Sequence, residues 1–149
     1  MKLSPNMTNN NSISPILLVE DRAVDLDLTK RAFARRRVLN PIQEARDGEE
    51  ALAYIDRWDQ GEPLPVFILL DLKLPKLDGL EVLRRLKGHA SYANIPVVVL
   101  TTSAEDRDVE QAYKLGCNSY IVKPVEFDKF MDVAELVEVY WCAVNTPPR

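Results

Sequence analysis

Val66 to Leu70 run apolar without a break and stop abruptly at Asp71. Two similar runs, Ile16–Val19 and Val97–Leu100, end on Glu20 and Thr101. Short, β-branched, continuously apolar runs do not alternate sides as a half-exposed strand does. They read as strands buried on both faces, the condition of a parallel sheet covered by helices front and back. Pro41–Arg46 and Ser119–Lys123 carry weaker versions of the pattern.

Helix-length segments fill the gaps: Val24–Val38, Glu49–Trp58, Leu80–Lys87, Asp106–Leu115 and Glu126–Val144. Gly48, Gly79 and Gly116 punctuate helix ends, and Pro96 opens a strand. Strict alternation predicts an α/β fold, a doubly wound five-stranded parallel sheet flanked by five helices (flavodoxin-like). At 149 residues the chain suffices for one domain. We expect it to span 15–145, after an Asn/Ser-rich flexible tail (1–14) and before a short tail (146–149). A formal charge of −4 gives no bulk attraction to nucleic acid. No apolar run approaches the roughly 20 residues of a membrane helix. Two cysteines without metal spacing, and no signal peptide, favour a cytoplasmic setting.

In such folds ligands sit beyond the carboxyl ends of the strands. The residues there are Glu20 and Asp21, Asp71, Thr101 and Thr102, and Lys123 followed by Pro124. Any one of them could be a helix cap or turn former. Together they bring three carboxylates to one end of the sheet, where they repel one another unless a cation compensates them. Carboxylates at a shallow cleft suit Mg²⁺. An ionised Asp can attack phosphorus, and an ammonium and a hydroxyl can hold the transferring phosphoryl oxygens.

On these residues the chain resembles the receiver domains of two-component response regulators. The matching pieces are ILLVEDR (16–22), LLDLKLPKLDGLEVL (69–83), VVVLTTS (97–103) and SYIVKPV (119–125). The resemblance implies that Asp71 is the phosphoacceptor. It implies that Glu20, Asp21, Asp71 and the Lys73 carbonyl hold Mg²⁺, and that Thr101 and Lys123 grip the phosphoryl oxygens. Tyr120 would be the aromatic that changes exposure as Thr101 moves, and the Lys123–Pro124 bond would be cis. The ending VEVYWCAVNTPPR, with no output domain expected after it, and the GEPLP loop resemble stand-alone regulators that partner phytochrome histidine kinases. A sensor histidine kinase, such as a bacteriophytochrome, is therefore the expected partner, and a phosphorylation-driven conformational change the expected output.

The last helical segment carries two apolar stripes. Phe127, Phe130, Ala134, Val137 and Trp141 form one; Val133, Leu136, Tyr140 and Val144 form the other. Their joint width exceeds one core-facing stripe. It fits either a wide core contact or a homodimer interface through Phe127, Val133, Leu136, Tyr140 and Trp141. Three rival readings remain. A haloacid-dehalogenase-type phosphatase needs a second Asp two residues after the nucleophile, where this chain has Lys73. A nucleotide-binding module needs a glycine-rich loop, and VEDRAVD has no glycine. A phosphorylation-independent scaffold would keep the fold and lose the chemistry.

Overall fold

The computed structural model describes residues 14–147. The expected N-terminal tail, apart from Ser14, and residues 148–149 lie outside them. Five strands are present: β1 (Ile16–Val19), β2 (Ile42–Ala45), β3 (Phe67–Leu70), β4 (Val97–Thr101) and β5 (Ser119–Val122). They alternate with α1 (Ala23–Arg35), α2 (Gly48–Asp59), α3 (Gly79–Lys87), α4 (Asp106–Lys114) and α5 (Phe127–Glu138). The sheet order is β2-β1-β3-β4-β5, and every pair is parallel. This is the flavodoxin-like architecture expected.

The strand period of two divides the core into two layers. Leu17, Val19, Ile68, Leu70, Val97 and Val99 pack with Ala51 and Trp58 of α2, Leu83 and Leu86 of α3, and Ala112 of α4. Ile16, Leu18, Phe67, Leu69, Val98 and Leu100 pack with Ala32 and Phe33 of α1 and Phe130 and Ala134 of α5. Burying each such large side chain contributes about 1.5–3 kcal/mol relative to exposure. The three strong runs are the interior strands and are buried throughout. The two weak ones are the edges, β2 and β5, and are mostly half-exposed.

Strand order also places the chemistry. It reverses between β1 and β3, so the ends of these two strands border the crevice where ligands collect. Register keeps those ends level: Val19 pairs with Leu70, Leu70 with Val99, and Thr101 with Val122. The turn after β3 closes tightly. A Cβ on Gly79 would lie 2.5 Å from the Asp71 carbonyl oxygen and 2.5 Å from Leu72 Cα, so only glycine lets α3 start this close to the strand. Asp78 caps α3 by accepting from the Leu80 N–H.

The last helical segment differs from the expected single helix. α5 ends at Glu138 and continues as a π-helical stretch, Val139–Val144. Phe130, Ala134 and Val137 are buried, and Val133 and Trp141 pack against their cluster from its margin. Phe127, on the same stripe by spacing and offered as a dimer-interface residue, is 63% exposed at the first turn of α5. Leu136, Tyr140 and Val144 face solvent. Of the second stripe, Val133 alone joins the core contact. The Lys123–Pro124 bond, expected to be cis, is trans. Among the described residues no helix is long and apolar enough to cross a membrane.

Candidate functional site

Four strands deliver one polar group each to the same end of the sheet. The Glu20 N–H donates to the Ala45 carbonyl (2.9 Å) and the Asp71 N–H to the Val19 carbonyl (3.0 Å), so both acids begin where their strands stop pairing. The Lys123 N–H donates to the Thr101 carbonyl (2.7 Å) and ties the last two strand ends together. Glu20, Asp71, Thr101 and Lys123 are all buried, whereas Asp21 is exposed.

The Lys123 ammonium is the hub. It donates to Glu20 Oε1 (2.6 Å), Asp25 Oδ2 (2.7 Å) and Asp71 Oδ2 (2.8 Å). The other Asp71 oxygen accepts from the Lys73 N–H (3.0 Å). The second Glu20 oxygen accepts from the Arg22 N–H (3.2 Å). Sequence reasoning missed Asp25. An acid in a helix's first turn ordinarily serves the helix dipole, and nothing in the sequence marks this one as different.

Three buried carboxylates against one ammonium leave the cluster formally short of positive charge. Burial, and next the charge of Asp71, push the Glu20 carboxyl up to about 7, against the pull of Lys123. Burial opposes the Lys123 charge, but its hydrogen bonds to Asp25, Asp71 and Glu20 together hold its pKa well above the usual lysine value. Glu20, Asp21 and Asp71 each offer one oxygen, and these oxygens lie within 4.8 Å of one another. An all-carboxylate donor set, partly open to water, fits a hard divalent cation.

The Thr101 hydroxyl is free to serve a ligand. Its Oγ1 is buried and has no hydrogen-bond partner. An unsatisfied buried hydroxyl costs on the order of 1–3 kcal/mol, which a bound oxyanion would relieve. Cavities flank the cluster. One of about 510 Å³ is lined by Asp21, Lys73, Pro75, Asp78 and Asp108. Another, of about 450 Å³, is lined by Arg22, Val24, Asp25, Lys123, Val125 and Phe127.

Tyr120 lies on β5, half-buried against the α2–α4 core layer, and its hydroxyl donates to the Ser103 carbonyl (2.9 Å). Ser103 Oγ in turn donates to Asp108 Oδ2 (2.5 Å). Thus the aromatic next to the lysine strand-end is pinned to the loop that follows Thr101. Of the remaining sequence candidates, on α5 and its π-helical extension, Phe127 lines the second cavity beside Lys123, and Val133 and Trp141 pack on the α1–α5 core layer.

Fold and site together define a class. The chain belongs to the response regulator receiver domain family, whose model matches residues 16–135. It is a phosphoacceptor signalling domain rather than a classical enzyme, and it signals by conformational change. A probable methanogenesis regulatory protein, FilR2 of Methanothrix harundinacea (strain 6Ac), is 43% identical over 134 residues, covering 89% of this chain and 86% of that protein. Within the family the chain is related to phytochrome-partnered regulators. The phosphorylated cyanobacterial phytochrome response regulator RcpA superposes with a TM-score of 0.86 at 37% identity, covering 92% of this chain and 99% of that one. The bacteriophytochrome response regulator RtBRR gives a TM-score of 0.71 at 45% identity, covering 91% and 84%.

Proposed function

We propose that Asp71 accepts a phosphoryl group from the phosphohistidine of a sensor histidine kinase of the phytochrome type. The observation that carries this reading is the Lys123 ammonium 2.8 Å from Asp71 Oδ2, beside the unpartnered hydroxyl of Thr101. An Asp71 oxygen attacks phosphorus in line, the phosphorus–nitrogen bond breaks, and its electron pair returns to the imidazole. Lys123 and Thr101 each donate to a phosphoryl oxygen, and burial strengthens both contacts. Glu20, Asp21, Asp71 and the Lys73 carbonyl would hold Mg²⁺, which supplies charge neutralisation at the transferring group.

Phosphorylation then draws Thr101 and Lys123 inward. The Ser103 carbonyl moves with the β4–α4 loop, Tyr120 loses its present partner, and the α4–β5–α5 face shifts between two states that the phosphoryl group binds unequally. Residues 15–145 form this unit, acting in the cytoplasm. The exposed Val24, Val125 and Phe127 around the second cavity offer the kinase an apolar seat beside Lys123. Leu136 and Tyr140, flanked by Phe127, Val133 and Trp141, form a homodimer surface on α5 and its extension.

Labelling with acetyl phosphate tests the central step. The wild-type chain incorporates phosphate only with Mg²⁺, and Asp71→Asn does not incorporate it. Equal labelling of Asp71→Asn removes Asp71 as the acceptor. A wild-type chain that never labels, with a cognate kinase or with acetyl phosphate, is a phosphorylation-independent scaffold.

A further inference from the structure

We propose that Asp25 is a positioning residue that holds the Lys123 ammonium on the α1 side of the site when a divalent cation takes the oxygens of Glu20 and Asp71. The inference rests on the metal-dependent reading above and adds a residue to it.

An ammonium has three N–H donors. In this structure all three of Lys123 are used, on Glu20, Asp25 and Asp71. Two of those acceptors belong to the carboxylate set able to hold a divalent ion, and Asp25 does not. A cation at that set competes with Lys123 for Glu20 and Asp71. Asp25 is the one partner it leaves untouched.

The local structure frees Asp25 for this role. It stands at the third position of α1, from which an acidic side chain commonly reaches back to cap the helix's first N–H. Here Glu20 takes that bond, accepting from the Arg22 N–H. The Asp25 carbonyl accepts from Thr29 Oγ1 (2.9 Å), inside the helix. Its carboxylate is buried, with the exposed Arg22 guanidinium as a second cation at 3.7 Å. Lys123 is its close partner, and burial makes that pairing matter. Without Asp25 the ammonium would swing wholly onto Glu20 and Asp71, where it would oppose the incoming ion.

The test is a double-substitution cycle read by calorimetric Mg²⁺ titration of the full chain: wild type, Asp25→Asn, Lys123→Met and the pair. Asp25→Asn is expected to weaken Mg²⁺ binding by about tenfold, although Asp25 is not a ligand. In the Lys123→Met background the same substitution is expected to change it by less than about threefold. Asp25→Glu keeps the charge, and should stay within about threefold of wild type. It also serves as the readout if Asp25→Asn does not fold. Equal losses with and without Lys123 would make Asp25 a plain background charge and overturn the proposal. So would unchanged affinity in Asp25→Asn, or a tenfold loss in Asp25→Glu. The cycle needs no phosphorylation, so a chain that fails to label but shows the coupling loses the phosphoacceptor reading and keeps Asp25 in this role.

Discussion

Replacing Glu20 with Gln should stabilise the metal-free protein at high pH and leave it unchanged at low pH. Burial, followed by the Asp71 charge, lifts the Glu20 carboxyl from 4.5 to about 7. At roughly 1.4 kcal/mol per tenfold change in proton affinity, that rise corresponds to about 3 kcal/mol. The sign follows from proton counting. Between these two values the folded chain keeps a proton at Glu20 that the unfolded chain has lost, so stability falls as pH rises. Below about 4.5 both states carry the proton, and Glu20 resembles Gln in shape and charge. Above about 7 the folded wild type holds a buried carboxylate that Gln lacks. Urea denaturation in a chelator at pH 4.5, 6, 7 and 8 gives the difference directly, since the other titrating groups are common to both proteins. The variant's advantage should grow from near zero to about 3 kcal/mol across that window. Saturating Mg²⁺ should erase or reverse it above pH 7, because an ion that binds only the folded wild type adds stability by mass action. A difference that does not vary with pH, or a less stable Gln variant at pH 8, would refute the reasoning.

Three further outcomes are expected. Gly79→Ala should lower stability by about 2 kcal/mol or more in denaturant titration, since its Cβ would meet the backbone of Asp71 and Leu72 with no flexible side chain to yield. Lys73→Asn removes a cation from the cavity beside Asp71 and opens a path for water, so the phosphoryl group should decay faster; an unchanged half-life would dismiss any part for Lys73. Leu136→Glu, at a solvent-facing site, should leave the fold intact and convert the dimer to monomer in sedimentation, and a wild-type mass already monomeric at all concentrations would end the dimer proposal.

The strand ends were legible in the sequence because buried strands carry a signal in every residue. Phe67–Leu70 has no polar position to blur it, and the first polar residue marks the ligand end. The edge strands carry less: Ile42–Ala45 reads IQEA, and an edge needs only one well-buried face. α5 was legible to Val137 and then misleading. A helical spacing of 3.6 predicts one helix to Val144, whereas Val139–Val144 are π-helical and Trp141, offered as a dimer anchor, packs at the core's margin. Spacing puts Phe127 on one stripe with Phe130 and Ala134 and cannot say which of them the core covers. Asp25 was invisible because its residue type and position suit an ordinary helix start. Only the fold shows that Lys123, almost a hundred positions away, has turned toward it.

Two features mark the site, and the proposed ligands answer one each: a divalent cation the crowded acids, a phosphoryl oxygen the unpartnered Thr101 hydroxyl. Elsewhere Glu135 and Glu138 pair with Arg35 and Arg36, and the buried Asp47 pairs with Lys76 and caps α2. At the site Glu20, Asp71 and, from α1, Asp25 share one lysine, and a buried threonine hydroxyl has no partner. Such local conflicts are expected where function rather than stability chose the residues. Their placement also sets how a change would spread. Thr101 and Lys123 end neighbouring strands and are joined by a 2.7 Å backbone bond. Tyr120 lies three residues before Lys123, and its hydroxyl is anchored two residues after Thr101. A ligand that pulls on both strand ends therefore pulls on both attachments of the same ring. Under the proposed function the coupling from phosphoryl group to surface would need no long chain of contacts, because two adjacent strands and one tyrosine would span it.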